Sequence, residues 1–219
     1  MKICFLTRRE KLGAEDAIKY LDKIATRIDV FNESKIKEFP KEIFDTNYDM
    51  VIAYITGWIV PNSVLQNTIK WNLNFHPGPP EYPGTGCFNF AIYDEAKEYG
   101  STANIMEPAV DTGKIVAIER FLINQNETVD TLSEKTYKSI FKLLKTVVDK
   151  IHSDNSLPKS DEVWARKPYK RVDLERLCEI NHGMKYEEVN KRIRSTYLKG
   201  KPAPFIKIFD KKFEYNPDR

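Results

Sequence analysis

The chain has 219 residues, 35 Lys and Arg against 32 Asp and Glu, and three cysteines. That length suits one large domain, or one domain with a small appendage, and needs no covalent staples. A net charge of +3 with the two signs interleaved lacks the basic stripe of a nucleic-acid binder, and Cys4, Cys87 and Cys178, odd in number and without a Cys-x-x-Cys, argue against a disulfide framework or a zinc site and for a reducing compartment.

The first element, Lys2 to Leu6, is a short apolar run suited to a buried parallel strand. Arg8 and Arg9 follow too soon for a signal peptide or a membrane span, so a soluble, cytoplasmic protein is expected, with neither nucleic acid nor membrane as partner. From Ala14 a helical period appears, with Ala17, Ile18, Leu21, Ile24 and Ala25 on one face. The turn before it holds a single glycine, Gly13, and no Gly-x-Gly-x-x-Gly, which argues against a dinucleotide site. Ile28 to Phe31 reads as a second strand and Pro40 to Phe44 as a short helix. Asp49 to Ile55 is the most apolar strand candidate and is placed centrally. Pro61 suits the first position of a short helix running to about Lys70.

Asn72 to His76 is the next strand, ended by Pro-Gly-Pro-Pro, which cannot continue a ladder. Asn74 and His76 are two residues apart, so on a strand both side chains leave from one face, at the carboxyl edge where open α/β sheets bind ligands. Phe88 to Lys97 has helical spacing, with Gly100 as its terminator. Ser101 to Met106 and Lys114 to Ile123 are two further strands, joined by a turn at Asp111-Thr112-Gly113 that returns the chain beside His76. Thr131-x-x-Glu134 reads as a capping box opening a long amphipathic helix through Leu132, Ile140, Leu143, Leu144, Val147, Val148 and Ile151, with His152 placed for the helix dipole.

A polar connector, Ser153 to Ser160, divides a domain of residues 1–152 from an appendage of residues 153–219. There Val172 to Ile180 is helix or loop, Tyr186 to Tyr197 is helical, and Phe205 to Tyr215 alternates like a hairpin turning at Asp210-Lys-Lys. A lone hairpin is barely stable, so it packs on the sheet or on a second copy, making a homodimer the expected assembly. Arg166, Lys167, Lys170 and Arg171 surround Pro168 and Tyr169. A solvated face is the default for such a run, and contact with a diphosphate is the other reading.

Asn-x-His-Pro, a Pro/Gly loop and a later Asp-x-Gly together resemble the formyltetrahydrofolate-dependent formyltransferases, well over residues 48 to 125 and by layout in the flanks. The resemblance implies a Rossmann-like α/β fold, mostly parallel and flanked by helices, with a C-terminal helix and β-hairpin appendage. It implies 10-formyltetrahydrofolate as co-substrate and Asn74, His76 and Asp111 as the catalytic set. It also puts the folate beside Tyr54, Trp58, Ile59, Val60, Thr112 and Gly113, with Trp58 as plain core the equal alternative. Acyl transfer needs a donor for the oxyanion, a role open to the Asn74 amide, and a proton acceptor near neutrality, a role open to His76 if Asp111 orients it. Cys87, flanked by Phe88 and Phe90, is read as packing rather than as a nucleophile.

Within that family, the segment after the first strand lacks the glycine-rich phosphate loop of the purine enzyme, and the stretch after residue 160 is short and mildly basic beside the second domain of the tRNA enzyme. The loop after His76 and the hairpin tail look most like the short sugar N-formyltransferases. That implies a nucleotide-linked amino sugar as partner, a dTDP-4-amino-4,6-dideoxyhexose such as the dideoxyglucose, and a product used in O-antigen or a similar surface glycan. Tyr82, Gly84, Thr85, Gly86 and Asn89 fall near the sugar and phosphates on this reading, although the glycines could serve only the turn. Tyr169 or Tyr197 could stack on the base, with core packing the expectation for each. A glycinamide ribonucleotide-type enzyme, a formyltetrahydrofolate hydrolase and a non-catalytic folate-binding module are the alternatives.

Overall fold

A computed structural model describes residues 1–35, 38–201 and 203–217. Its main sheet has six strands in the order β2-β1-β3-β4-β5-β6: β1 (Lys2–Thr7), β2 (Arg27–Asn32), β3 (Met50–Tyr54), β4 (Trp71–His76), β5 (Glu98–Ile105) and β6 (Ile115–Leu122). The first four run parallel, and β5 and β6 are antiparallel to their neighbours. Alternation sorts the strands between two faces. Ile3, Phe5, Ile52, Tyr54, Leu73 and Phe75 enter a core closed by α1 (Ala14–Asp22) and α4 (Val129–Asp154). The opposite face carries Cys4, Leu6 and Val51 under α2 (Asn62–Asn67), and at the end of β4 it carries Asn74 and His76.

The long helix starts earlier than its sequence signature suggested. Thr128 is the cap and exchanges side-chain bonds with Thr131, so the reciprocal box lies three residues upstream of the Thr131/Glu134 pair. Thr131 therefore fills the N3 place, where Glu or Gln is usual, rather than the cap itself. Asn155, left-handed at φ 50°, ends the helix. Gly100 is no terminator. Helix α3 (Cys87–Tyr93) stops well before it, and Gly100 lies inside β5, where a Cβ would come within 2.4 Å of the Glu119 carbonyl oxygen. Pro61 caps α2 rather than opening it, and the helix ends at Asn67, short of Lys70.

The C-terminal part holds α5 (Arg171–Cys178), α6 (Tyr186–Thr196) and a second sheet in which β7 (Glu179–Ile180) pairs parallel to β8 (Phe205–Ile208), itself antiparallel to β9 (Lys211–Glu214). The hairpin turns at Phe209-Asp210, one residue earlier than expected, with Phe209 at φ 55° and Lys211 already in β9. No helix of the described residues is long and apolar enough to cross a membrane, and no group of His, Cys, Asp or Glu among them could hold a metal ion.

Candidate active site

Every element that ends near Asn74 and His76 does so at the carboxyl edge of the parallel strands, beside the point where the chain order reverses around β1. A cleft of about 1020 Å³ opens there. One wall is the segment after β3, Ile55 to Val60, and the opposite wall is the loop after β4 together with residues 167–170.

Three side chains join at the floor. The Asn74 Nδ2 group donates to Asp111 Oδ1 at 3.1 Å, and His76 Nδ1 lies 3.2 Å from Asp111 Oδ2. Asp111 Oδ2 also accepts the Gly84 N–H at 2.8 Å, and the carboxylate is 5 % exposed. Asp111 reaches this position only because its backbone is left-handed, φ 50°, a conformation Asp tolerates better than most residues. A buried carboxylate that accepts two N–H bonds and has an imidazole beside it is the kind that survives burial. Two further contacts were not visible in the sequence. The second Nδ2 hydrogen of Asn74 goes to Asn104 Oδ1 at 3.1 Å, and His76 Nε2 faces the Tyr82 carbonyl oxygen at 3.0 Å. A ring with one N–H can serve only one of the two oxygens it faces. Asn104 sits directly across from Asn74 in the antiparallel ladder; a polar residue inside the apolar run Thr-Ala-Asn-Ile was its only sequence signal.

The wall after β3 is held by a carboxylate at the end of β2. Arg8 grips Glu33 with two bonds, Nε to Oε2 at 3.0 Å and Nη2 to Oε1 at 2.7 Å. The same carboxylate accepts the Thr56 hydroxyl at 2.7 Å and the Gly57 N–H at 2.5 Å. Burial pushes the Glu33 carboxyl up, but these donors outweigh it and hold the group below its ordinary value. At Gly57 a Cβ would meet Arg8 Nη2 at 2.6 Å and Glu33 Oε1 at 2.9 Å, so a larger residue would have to displace the ends of that pair. Trp58 and Val60 belong to the hydrophobic cluster beside α2 and also line the cleft, so the two readings of Trp58 are not exclusive. Ile59 is 65 % exposed on the rim. Tyr54, in contrast, turns away: it shares its face with Ile52, fills the core between Phe5 and Phe75, and leaves Ala53 and Ile55 to the cleft.

Among the residues placed near an acceptor, Gly84 and Thr85 line the cleft. Tyr82, Gly86 and Asn89 do not: the Tyr82 ring packs on Tyr99, Gly86 caps α3 at φ 80°, and the Asn89 amide donates to the Ser195 carbonyl at 2.7 Å. The helix begins at Gly86-Cys87, which carries Asn89 toward α6. Thr112 lines the cleft, with its hydroxyl on the Ala109 carbonyl at 2.8 Å. Gly113 is needed for packing, since a Cβ there would fall 1.9 Å from the Ile105 carbonyl oxygen. Its own carbonyl accepts the Trp164 indole N–H at 2.8 Å, and that indole meets the His76 ring edge-on at 5.9 Å.

Tyr169 is no free platform. One face stacks on Phe90 at 3.6 Å and the other lies under the Arg166 guanidinium. Tyr197 is likewise engaged, edge-on to Tyr215. Burial pushes the Cys87 thiol up to about 11, despite opposing bonds from Tyr99 and the backbone, and its Sγ points at the Pro77 carbonyl oxygen at 3.4 Å. The thiol is therefore packed and neutral.

A family model described as formyl transferase matches residues 10–148, more than half of the chain. The chain belongs to the formyltransferase family. Its curated relatives include the methionyl-tRNA formyltransferase of Hydrogenobaculum sp., 29 % identical over 122 residues that cover 55 % of this chain and 40 % of that one. That of Clostridium tetani is 25 % identical and covers 94 % and 71 % respectively. The chain thus spans less than two thirds of the first of these. Solved formyltransferase folds superpose over nearly the whole chain. A sugar N-formyltransferase from Shewanella sp. gives a TM-score of 0.77 at 18 % identity, covering 98 % of this chain and 96 % of that one. An N-formyltransferase from Helicobacter canadensis, solved with folinic acid and dTDP-3-aminofucose, gives 0.74 at 18 %, covering 97 % and 86 %. At such identity the likeness establishes the formyltransferase fold, which is the α/β architecture expected from the sequence.

Proposed function

We propose that this formyltransferase moves the formyl group of 10-formyltetrahydrofolate to the amine of a nucleotide-linked amino sugar, with dTDP-4-amino-4,6-dideoxyglucose the first acceptor to test. The observation that carries the reading is the linked set Asn74, Asp111 and His76 on the floor of an open cleft. The fit of the donor rests on the wall after β3. It offers backbone groups at Ile55 to Val60 and apolar side chains at the rim, Ile59 and, across the cleft, Val110, which is 46 % exposed. A flat heterocycle with polar edges suits such a wall, and the donor supplies an activated formyl carbon.

The roles of the side chains follow from what each atom already touches. In the reaction the proton of the ring sits on Nδ1, beside the Asp111 carboxylate at 3.2 Å, and Nε2, released from the Tyr82 carbonyl, takes the proton of the attacking amine. Asn74 stabilises the oxyanion. The hydrogen it now lends to Asn104 is the one to be redirected, because an oxyanion is a stronger acceptor than a neutral amide at 3.1 Å. As the tetrahedral centre collapses, the C–N bond to the donor breaks and the proton passes to the leaving nitrogen.

The sugar reading is supported by the superposition of sugar N-formyltransferases over 98 % of this chain, through α5, α6 and the hairpin. In this reading residues 1–152 carry the chemistry. Residues 153–219 complete the acceptor wall and pair two copies into a homodimer in the cytoplasm, and the product enters surface-glycan synthesis. A panel of nucleotide-linked amino sugars, charged initiator tRNA and glycinamide ribonucleotide, each with formylfolate, tests it. A mass gain of one formyl group on a sugar is expected; gain on the tRNA alone, or formate release with no amine present, would replace the acceptor.

A further inference from the structure

The basic run Arg166, Lys167, Lys170 and Arg171 has no part in the chemistry above, and the fold gives its members different positions. Arg166 is used up: its guanidinium lies 3.5 Å over the Tyr169 ring and donates to the Tyr169 hydroxyl. Arg171 opens α5. Lys167 and Lys170 line the cleft that holds His76 and Asp111, and among the described residues neither ammonium is paired with a carboxylate.

The segment carrying them is fixed rather than loose. The Tyr169 N–H donates to the Pro83 carbonyl at 2.9 Å, and the Tyr169 carbonyl accepts the Thr85 N–H at 2.9 Å. Tyr169 is pinned further by the stack on Phe90, with the rings 4° from parallel. Proline at 168 fixes one more backbone angle. The two lysines therefore flank a rigid anchor and stand over one opening.

Their placement also breaks a local rule. Lys170 caps α5 and Arg171 is its first residue, yet helix caps favour Ser, Thr, Asp or Asn, and the positive end of a helix repels cations. Asp173 relieves this in part by accepting the Lys170 N–H at 2.8 Å. An anion in the cleft would relieve it further. Local rules broken without internal compensation tend to mark sites of function. The location identifies which substrate the anion belongs to. This segment is bonded to the loop after β4, at Pro83, Gly84 and Thr85, and the Gly84 N–H in turn reaches Asp111, which ties it to the catalytic floor.

We propose that Lys167 and Lys170 form the diphosphate subsite for an acceptor built on a nucleoside diphosphate. This rests on the nucleotide-sugar reading given above and names the residues that recognise its charged linkage. Compact ammonium groups suit a diphosphate as point charges, and an exposed pair of this kind binds more weakly as salt rises.

The test measures dTDP and folinic acid separately, by calorimetry, on the parent, on a Lys167→Ala/Lys170→Ala variant and on the Lys→Arg pair. The expected result is a loss of dTDP affinity of about tenfold or more in the alanine variant, unchanged folinic acid affinity, and retention in the arginine pair. Thermal melts of the three proteins should coincide, since both side chains are exposed. Unchanged dTDP affinity in the alanine variant, with the parent binding dTDP, overturns the subsite and leaves the nucleotide-sugar reading standing. Loss of folinic acid affinity instead overturns it in favour of the glutamyl carboxylates of the donor. A parent that binds folinic acid but no dTDP overturns the nucleotide-sugar reading and the subsite with it.

Discussion

The floor of the cleft and the C-terminal hairpin are opposite cases of how this protein treats its side chains. At the floor, Asp111 receives Asn74, His76 and Gly84, and Asn74 spends its second hydrogen on Asn104. On the hairpin, Phe209 is 98 % exposed, Phe213 53 % and Ile208 42 %, and every residue of β9 is exposed. The first region is over-determined by tertiary contacts. Among the described residues the second leaves apolar area and a strand edge uncovered, which a protein normally covers. A single change should therefore be felt at once in the first region and only through assembly in the second.

The largest effect is expected at the floor itself. Replacing His76, Asn74 or Asp111 by Ala should lower kcat by roughly a hundredfold to ten-thousandfold, with far-UV spectra unchanged. Activity within tenfold of the parent for the His76 variant would remove the imidazole from the chemistry.

Gly84→Ala comes next and tests whether the floor depends on the loop above it. At φ 85° an alanine is strained, and its Cβ would lie 2.4 Å from the Tyr169 carbonyl oxygen and 2.7 Å from its nitrogen. The left-handed backbone alone costs about 1–2 kcal/mol. A lowered melting temperature together with a lowered kcat is expected, because the Gly84 N–H is one of the two bonded to Asp111. A stability loss with kcat intact would detach the loop from catalysis.

A smaller effect follows from Glu33. Its folded-state carboxyl is held below the ordinary 4.5, so the stability it contributes is full above that value and is lost as pH falls through the lower folded value. In Glu33→Gln the acid limb of a melting-temperature profile should flatten. KM for formylfolate should rise more than kcat falls, since the wall at Gly57 loses its anchor. An acid limb identical to the parent's would place the wall's stability elsewhere.

The mildest catalytic effect is expected at the hairpin. Phe213→Asp should halve the solution mass by light scattering while leaving kcat within a few-fold, because the hairpin lies outside the cleft. A parent already of monomer mass would end the homodimer proposal.

Much of the plan was legible in the residues. Strand alternation put Asn74 and His76 on one face, Pro-Gly-Pro-Pro ended β4 after His76, and the apolar run at Met50–Tyr54 marked a central strand. Tyr54 was placed beside the folate by the resemblance alone, and its parity with Ile52 sends it into the core. The capping box was misread by three residues because Thr131, the residue that matches the usual motif with Glu134, serves as the N3 partner of Thr128 instead. Asn104, Arg8, Glu33 and Trp164 were missed because each acts on a residue far away in sequence, and pattern reading sees only neighbours. Gly86 and Asn89 were placed near the acceptor from the likeness of their loop, and a helix start at Cys87 turns them away from the cleft.

The sequence by itself determined most of the strands and helices of the main sheet, and that an amide and an imidazole share one face at the end of a strand with a carboxylate in a later turn, since these follow from local periodicity and from residues that stop a ladder. Only the tertiary structure decided what those groups touch. The Asp111 carboxylate is aimed by a left-handed turn and a loop N–H, and the lysines of a distant surface run are brought over the cleft by a backbone bridge at Gly84. Such contacts form between segments that the chain brings together only on folding, so no local signal could encode them.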